Sequence, residues 1–166
     1  MASQMALLLS CQLRTVDPRL FRCGYEDAWF AFLRSAFPFP AGFNICPECW
    51  PSRGRQCFRF EVKYGWEHTV FVVHQKSAAE MDYAKELKNC PLPAFRGLSA
   101  LGTTFALYAE QHTTITPPSP PTWSHSVLDL DGVCSILEIV EAVKKDCKEL
   151  KRSRRLTAKA TAKQAM

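Results

Sequence analysis

An α+β fold is predicted: a small mixed domain with a β-hairpin and flanking helices around a zinc knuckle, followed by a long amphipathic C-terminal helix. Three observations predict it. Residues 56–74 hold two runs of alternating apolar and polar side chains on either side of Gly65-Trp66. Cys46-Pro47-Glu48-Cys49 lies just upstream. From residue 127 onward, apolar residues recur at spacings of three and four.

Taken in order, residues 6–16 read as a strand that Asp17-Pro18 ends. Residues 26–36 read as a helix. Trp29, Phe30, Phe32, Leu33 and Phe37 give it a broad apolar face, and Glu26 and Asp27 suit its N-terminal dipole. Phe37-Pro38-Phe39-Pro40-Ala41-Gly42 ends it.

The hairpin follows. Phe58, Phe60, Val62 and Tyr64 share one face of residues 56–64, and Cys57, Arg59, Glu61 and Lys63 the other. Residues 68–74 return, rich in β-branched and aromatic types. A two-residue turn at Gly65-Trp66 sets Phe60 opposite Phe71 and Cys57 opposite His74. A three-residue loop shifts the register by one and turns His74 to the other face.

With Cys57 and His74 paired, the Cys-x-x-Cys completes a tetrahedral thiolate–imidazole site for a structural Zn2+. The expected ligands are Cys46, Cys49, Cys57 and His74, with His68 and Cys90 as alternatives for the fourth. A single Cys-x-x-Cys is a weak signal, and cysteines also serve as small buried hydrophobes. With no basic n-region ahead of residues 5–9, no secretory signal is read. The eight cysteines are then expected to be reduced, in the nucleus and cytoplasm.

Residues 77–88 read as a second helix, opened by Ser77 and Glu80 at capping-box spacing. Gly97 and Gly102 argue against a long helix over residues 98–110, and residues 103–108 suit a strand. Thr116-Pro117-Pro118-Ser119-Pro120-Pro121 favours polyproline II and marks a boundary. The expected organisation is a globular domain over 1–112, a Pro-rich linker over 113–126, an amphipathic helix over 127–156 and a basic disordered tail over 157–166. Asp129 or Asp131 caps the helix. Val133, Ile136, Val140, Val143, Cys147 and Leu150 form its seam, which either packs back on the domain or pairs with another helix, in a homodimer or with a partner protein.

Composition bounds the function. A hydrophobic content of 47% and a charged content of 22% suit a folded globule rather than a disordered chain. No segment is apolar enough over about 20 residues to cross a bilayer. The net charge of +5 is unevenly placed, since residues 144–166 hold nine Lys/Arg against two acidic residues. Lys151-Arg152-Ser153-Arg154-Arg155 is the densest patch and reads as nucleic-acid contact or nuclear import. Arg53, Arg55, Arg59 and Lys63 extend the basic surface, and Trp50 and Trp66 stack on bases if exposed.

Enzyme signatures are lacking. No His-x-Glu precedes the cysteines as a zinc deaminase requires, no glycine loop cradles phosphate, and no nucleophile elbow occurs. The expected function is a non-enzymatic regulatory or accessory protein with a structural zinc and a basic segment for nucleic acid or nuclear import. The alternatives are an adaptor that binds proteins through the C-terminal helix and Pro-rich segment, and a cysteine-dependent enzyme. In layout, though in no motif, a Cys/His unit with a proline hinge and basic tail is similar to small viral accessory proteins.

Overall fold

A computed structural model describes residues 24–52, 55–74, 90–101, 103–111 and 125–164. They form α1 (Gly24–Ala36), a 3-10 turn (Phe39–Ala41), β1 (Phe43–Ser52), β2 (Arg55–Tyr64) and β3 (His68–His74), then β4 (Ala94–Leu101), β5 (Thr104–Gln111), β6 (His125–Ser126) and α2 (Leu130–Gln164). One mixed sheet runs in the order β1-β2-β3-β4-β5-β6. Only β3 and β4 are parallel. The chain is α+β, and no zinc knuckle is formed among the described residues. The strand expected over 6–16, the helix over 77–88 and most of the linker lie outside those residues.

The β2–β3 hairpin forms where its alternation placed it, with a different register. Its loop has three residues, Gly65 to Glu67, so that Tyr64 faces His68. That shifts the pairing by one. Val70 is then an extra residue in β3, between Thr69, opposite Lys63, and Phe71, opposite Val62. This bulge shifts the pairing by one more. Two shifts restore the alternation of faces, but His74 ends opposite Arg59 and not opposite Cys57.

Residues 46–49 are likewise extended. Cys46 and Cys49 take positions opposite Glu61 and Phe58 within β1, not the two ends of a tight turn. Pro47 and Pro51 do not break this strand, because β1 is the edge of the sheet and a missing N–H there need not cost a ladder bond.

Both helices cover one face of the sheet. From α1, Phe30 stacks on Phe60 of β2, with ring centroids 6.0 Å apart. Beyond its end, Phe37 packs between Phe43 and Phe71, at 5.2 and 5.6 Å. α2 crosses the same face, and its Asp146 pairs with Arg96, which lies beside Phe71 in the β3–β4 register. The seam residues Val133, Ile136, Val140, Val143 and Cys147 are buried, with Leu150 packed at the margin. Of the two expected arrangements, α2 therefore takes the one that packs on its own sheet. On the opposite face Glu61, Thr69, Val72, Phe95 and Ser99 are buried.

α2 starts hard against β6. The N–H of Val133 donates to Asp129 O at 3.1 Å, and that of Asp129 to Ser126 O at 3.2 Å. A Cβ at Gly132 would lie 2.0 Å from Ser126 O, so only glycine fits here. The helix continues to Gln164, past residue 157 where the disordered tail was expected. Alanines at 158, 160 and 162 are strong helix formers, and the Thr157 and Thr161 hydroxyls donate to the carbonyls of Ser153 and Thr157.

Candidate nucleic-acid interface

The last buried position of the α2 seam is Cys147, and from residue 151 to 162 every side chain is exposed. Lys151, Arg152, Arg154 and Arg155 thus sit just where the helix leaves the sheet. Because the helix runs on to Gln164, this cluster is not at its C-terminal dipole. Lys151, Arg154 and Arg155, at spacings of three and four, share one side of the helix. They form one wall of an open groove of about 480 Å³, whose other wall is Pro40, Ala41, Gly42, Tyr64 and Gly65.

Two short loops build that second wall, and backbone chemistry ties them together. The 3-10 turn ends at Gly42, whose φ of +92° belongs to the left-handed region. A side chain there would also crowd the Tyr64 ring, 3.3 Å from a built Cβ. Gly42 O accepts the N–H of Gly65 at 3.1 Å, locking the 3-10 turn to the hairpin loop. Phe39 and Trp66 project from the two loops and meet edge to face, with centroids 6.3 Å apart and planes at 77°. They are 66% and 69% exposed.

Trp66 holds a φ of +71°. For a bulky L-residue this backbone costs about 1 kcal/mol or more, and no burial of the indole offsets it.

Electrostatics favour an anion beside α2. Among the described residues no carboxylate pairs with Lys151, Arg152, Arg154 or Arg155. The one polar side-chain contact is between Arg154 Nη2 and His68 Nε2, at 3.0 Å. An arginine can only donate, so His68 accepts and its other nitrogen carries the proton. Burial raises the Tyr64 phenol above its ordinary value, Cys147 raises it further, and Arg155 and Arg154 act the other way. The hydroxyl therefore stays neutral at physiological pH.

The other expected basic residues do not extend this surface. Arg59 pairs with Glu61 and lies 3.7 Å from Glu48, while Lys63 is 3.3 Å from Glu61, which also accepts from the Thr69 hydroxyl at 3.2 Å. These charges are paired with Glu61 of the same strand and Glu48 of the neighbouring one. The side chains of Arg53, Arg55 and Trp50 lie outside the described set.

Cys46 and His74 do not converge as the hairpin reading required, and the side chains of Cys49 and Cys57 lie outside the described set. Cys46 lies on β1 and His74 on β3, with β2 between them. Across two strand spacings and two residues of offset, their Cα atoms are about 12 Å apart. Glu61 and Arg59 occupy the intervening positions. Cys57 stands opposite Trp50. Of the alternatives, His68 contacts Arg154 and Cys90 is buried in the core. Among the described residues no three His, Cys, Asp or Glu side chains gather as a metal set.

Nor does Cys147 suit nucleophilic chemistry. Burial, then Cys90 and Asp146, push its thiol up to about 12, against a lesser opposing effect of Arg96.

Sequence reasoning found the cations and named Trp66 as a stacking residue if exposed. It missed Phe39, Gly42 and Tyr64. The Phe-Pro-Phe-Pro run reads only as a helix end, and its pairing with a hairpin loop 25 or so residues on is a tertiary event. No family model, curated protein or solved structure matches the chain.

Proposed function

We propose that this chain is a non-enzymatic nucleic-acid-binding protein of regulatory or accessory type, acting in the nucleus and cytoplasm. One observation carries the reading: Lys151, Arg152, Arg154 and Arg155 emerge together from the packed domain, exposed and without acidic partners among the described residues. Like charges three and four apart on a helix repel and destabilise it by a few tenths of a kcal/mol per pair. The cluster therefore opposes folding, and a polyanion relieves that cost. Lys151, Arg154 and Arg155 contact the phosphates, which is sequence-blind and salt-sensitive. The adaptor reading loses its main surface, because the helical seam is already buried against the sheet.

Titration of a labelled oligonucleotide with the full chain, over a salt series, tests this. Three phosphate contacts give a log–log salt slope of about −2.5. Replacing Arg154 and Arg155 by Gln should lower that slope by about 1.5 and weaken binding at least about tenfold at physiological salt. Binding that ignores both salt and these substitutions would overturn the proposal and leave nuclear import as the role of the basic run.

A further inference from the structure

The groove beside α2 does not stand alone. A second groove of about 450 Å³ lies between α1 and β1, lined by Phe30, Arg34, Phe37, Phe39 and Asn44 among others. Pro40 belongs to both. The ridge between them is the loop that carries Phe39, with Trp66 packed against it. One path therefore leads from the cations of α2, over two exposed aromatic rings, into an aromatic-walled groove. Arg34, on the wall of that groove, is exposed, its guanidinium 5.7 Å from the centre of the Phe30 ring.

Trp66 and Phe39 are two of only four large hydrophobic side chains exposed among the described residues, and they touch each other. An edge-to-face pair leaves a ring face open to solvent. The tight hairpin loop takes positive φ at both Gly65 and Trp66 and leaves the indole exposed, while the Gly65–Gly42 hydrogen bond ties that loop to the one that carries Phe39. A strained backbone that displays an aromatic ring points to a ligand with a flat apolar face.

The geometry points to single-stranded nucleic acid as the ligand, with bases stacked on Trp66 and Phe39 and phosphates led by Lys151, Arg154 and Arg155 on one side and by Arg34 on the other. Cations beside exposed aromatics are the means by which proteins hold unpaired strands with little sequence preference. In a duplex the base faces are already stacked and paired, so this pair of rings has nothing to receive. The inference rests on the nucleic-acid reading above and adds the class of strand, the stacking pair and the second basic end.

The test uses the full chain and labelled oligodeoxythymidine and oligouridine of about 15 nucleotides, against a duplex of the same length. Trp66→Asn removes the ring and keeps a residue that tolerates positive φ. Phe39→Ala is a second variant outside the hairpin loop. Circular dichroism and the unfolding midpoint establish that each is folded. The single strands should bind tighter than the duplex, and each variant should lose about tenfold or more for single strands with its salt slope unchanged. Arg34→Gln should instead lower the slope by about 0.7. A duplex bound as tightly as the single strands, or folded variants that bind them like the wild type, would overturn this inference and leave the nucleic-acid reading standing. Failure to bind any of the three probes would overturn both.

Discussion

Arg96 of β4 reaches across the core to Asp146 of α2, with Nη1 2.6 Å from Oδ2. The side chains are only 18% and 13% exposed. This charged tie fixes the long helix on the sheet just before the basic cluster begins.

Breaking one side of that pair leaves a charge buried without its counterion. Arg96→Ala or Asp146→Ala should each destabilise the protein by about 3 kcal/mol, read from urea unfolding. The double substitution Arg96→Met with Asp146→Leu should cost far less than the two single losses together, because apolar side chains of similar size leave no orphaned charge. Additive losses would show that the two residues act separately.

The seam of α2 makes a second prediction. Ile136 is buried against the sheet, so Ile136→Ala should cost about 3 kcal/mol through the cavity it leaves. The wild-type unfolding midpoint should not depend on protein concentration. A midpoint that rises with concentration would mean that the seam holds two chains together.

Much of this architecture was legible in the sequence. Period-2 alternation located β2 and β3, and the spacings of three and four located the α2 seam. What alternation does not encode is the count of loop and bulge residues. Val70 sits in a run of β-branched residues that reads the same with or without a bulge, so the offset of His74 was hidden. Cys-Pro-x-Cys resembles a knuckle locally. Its extended form depends on lying at a sheet edge, which is a property of the whole topology. Gly97 obscured β4, whose buried position opposite Val72 and Tyr108 has no local signature. The basic run was plain, whereas the aromatic ridge beside it required two distant loops to meet.

The strand register predicts how metal content responds to substitution. Cys46 and His74 lie on strands that flank β2, too far apart for ligand bonds of about 2.0–2.3 Å to one ion. Cys46→Ser and His74→Gln should therefore leave the metal content of the purified native protein unchanged, measured by mass spectrometry under non-denaturing conditions. One zinc per chain that is lost in both variants would mean that β1, β2 and β3 pair in a different register, and the four-ligand site would be restored.

Glu26, in the first turn of α1, predicts a pH dependence. Its Oε1 is buried with no hydrogen-bond partner, although the residue as a whole is only half-buried. Burial, and then the neighbouring Asp27, raise its carboxyl from an ordinary 4.5 to about 7. Between those values the folded chain keeps a proton that the unfolded chain has released. The contribution of Glu26 to stability is therefore fullest below about pH 4.5, falls as the pH rises toward about 7 and levels off above it. Glu26→Gln carries no charge at any pH and should remove that decline. Thermal unfolding midpoints taken from about pH 4 to 8 should show the two proteins close together at the acid end and the variant more stable at the alkaline end. Midpoints that run parallel across the whole range would show that Glu26 ionises as it does in an unfolded chain.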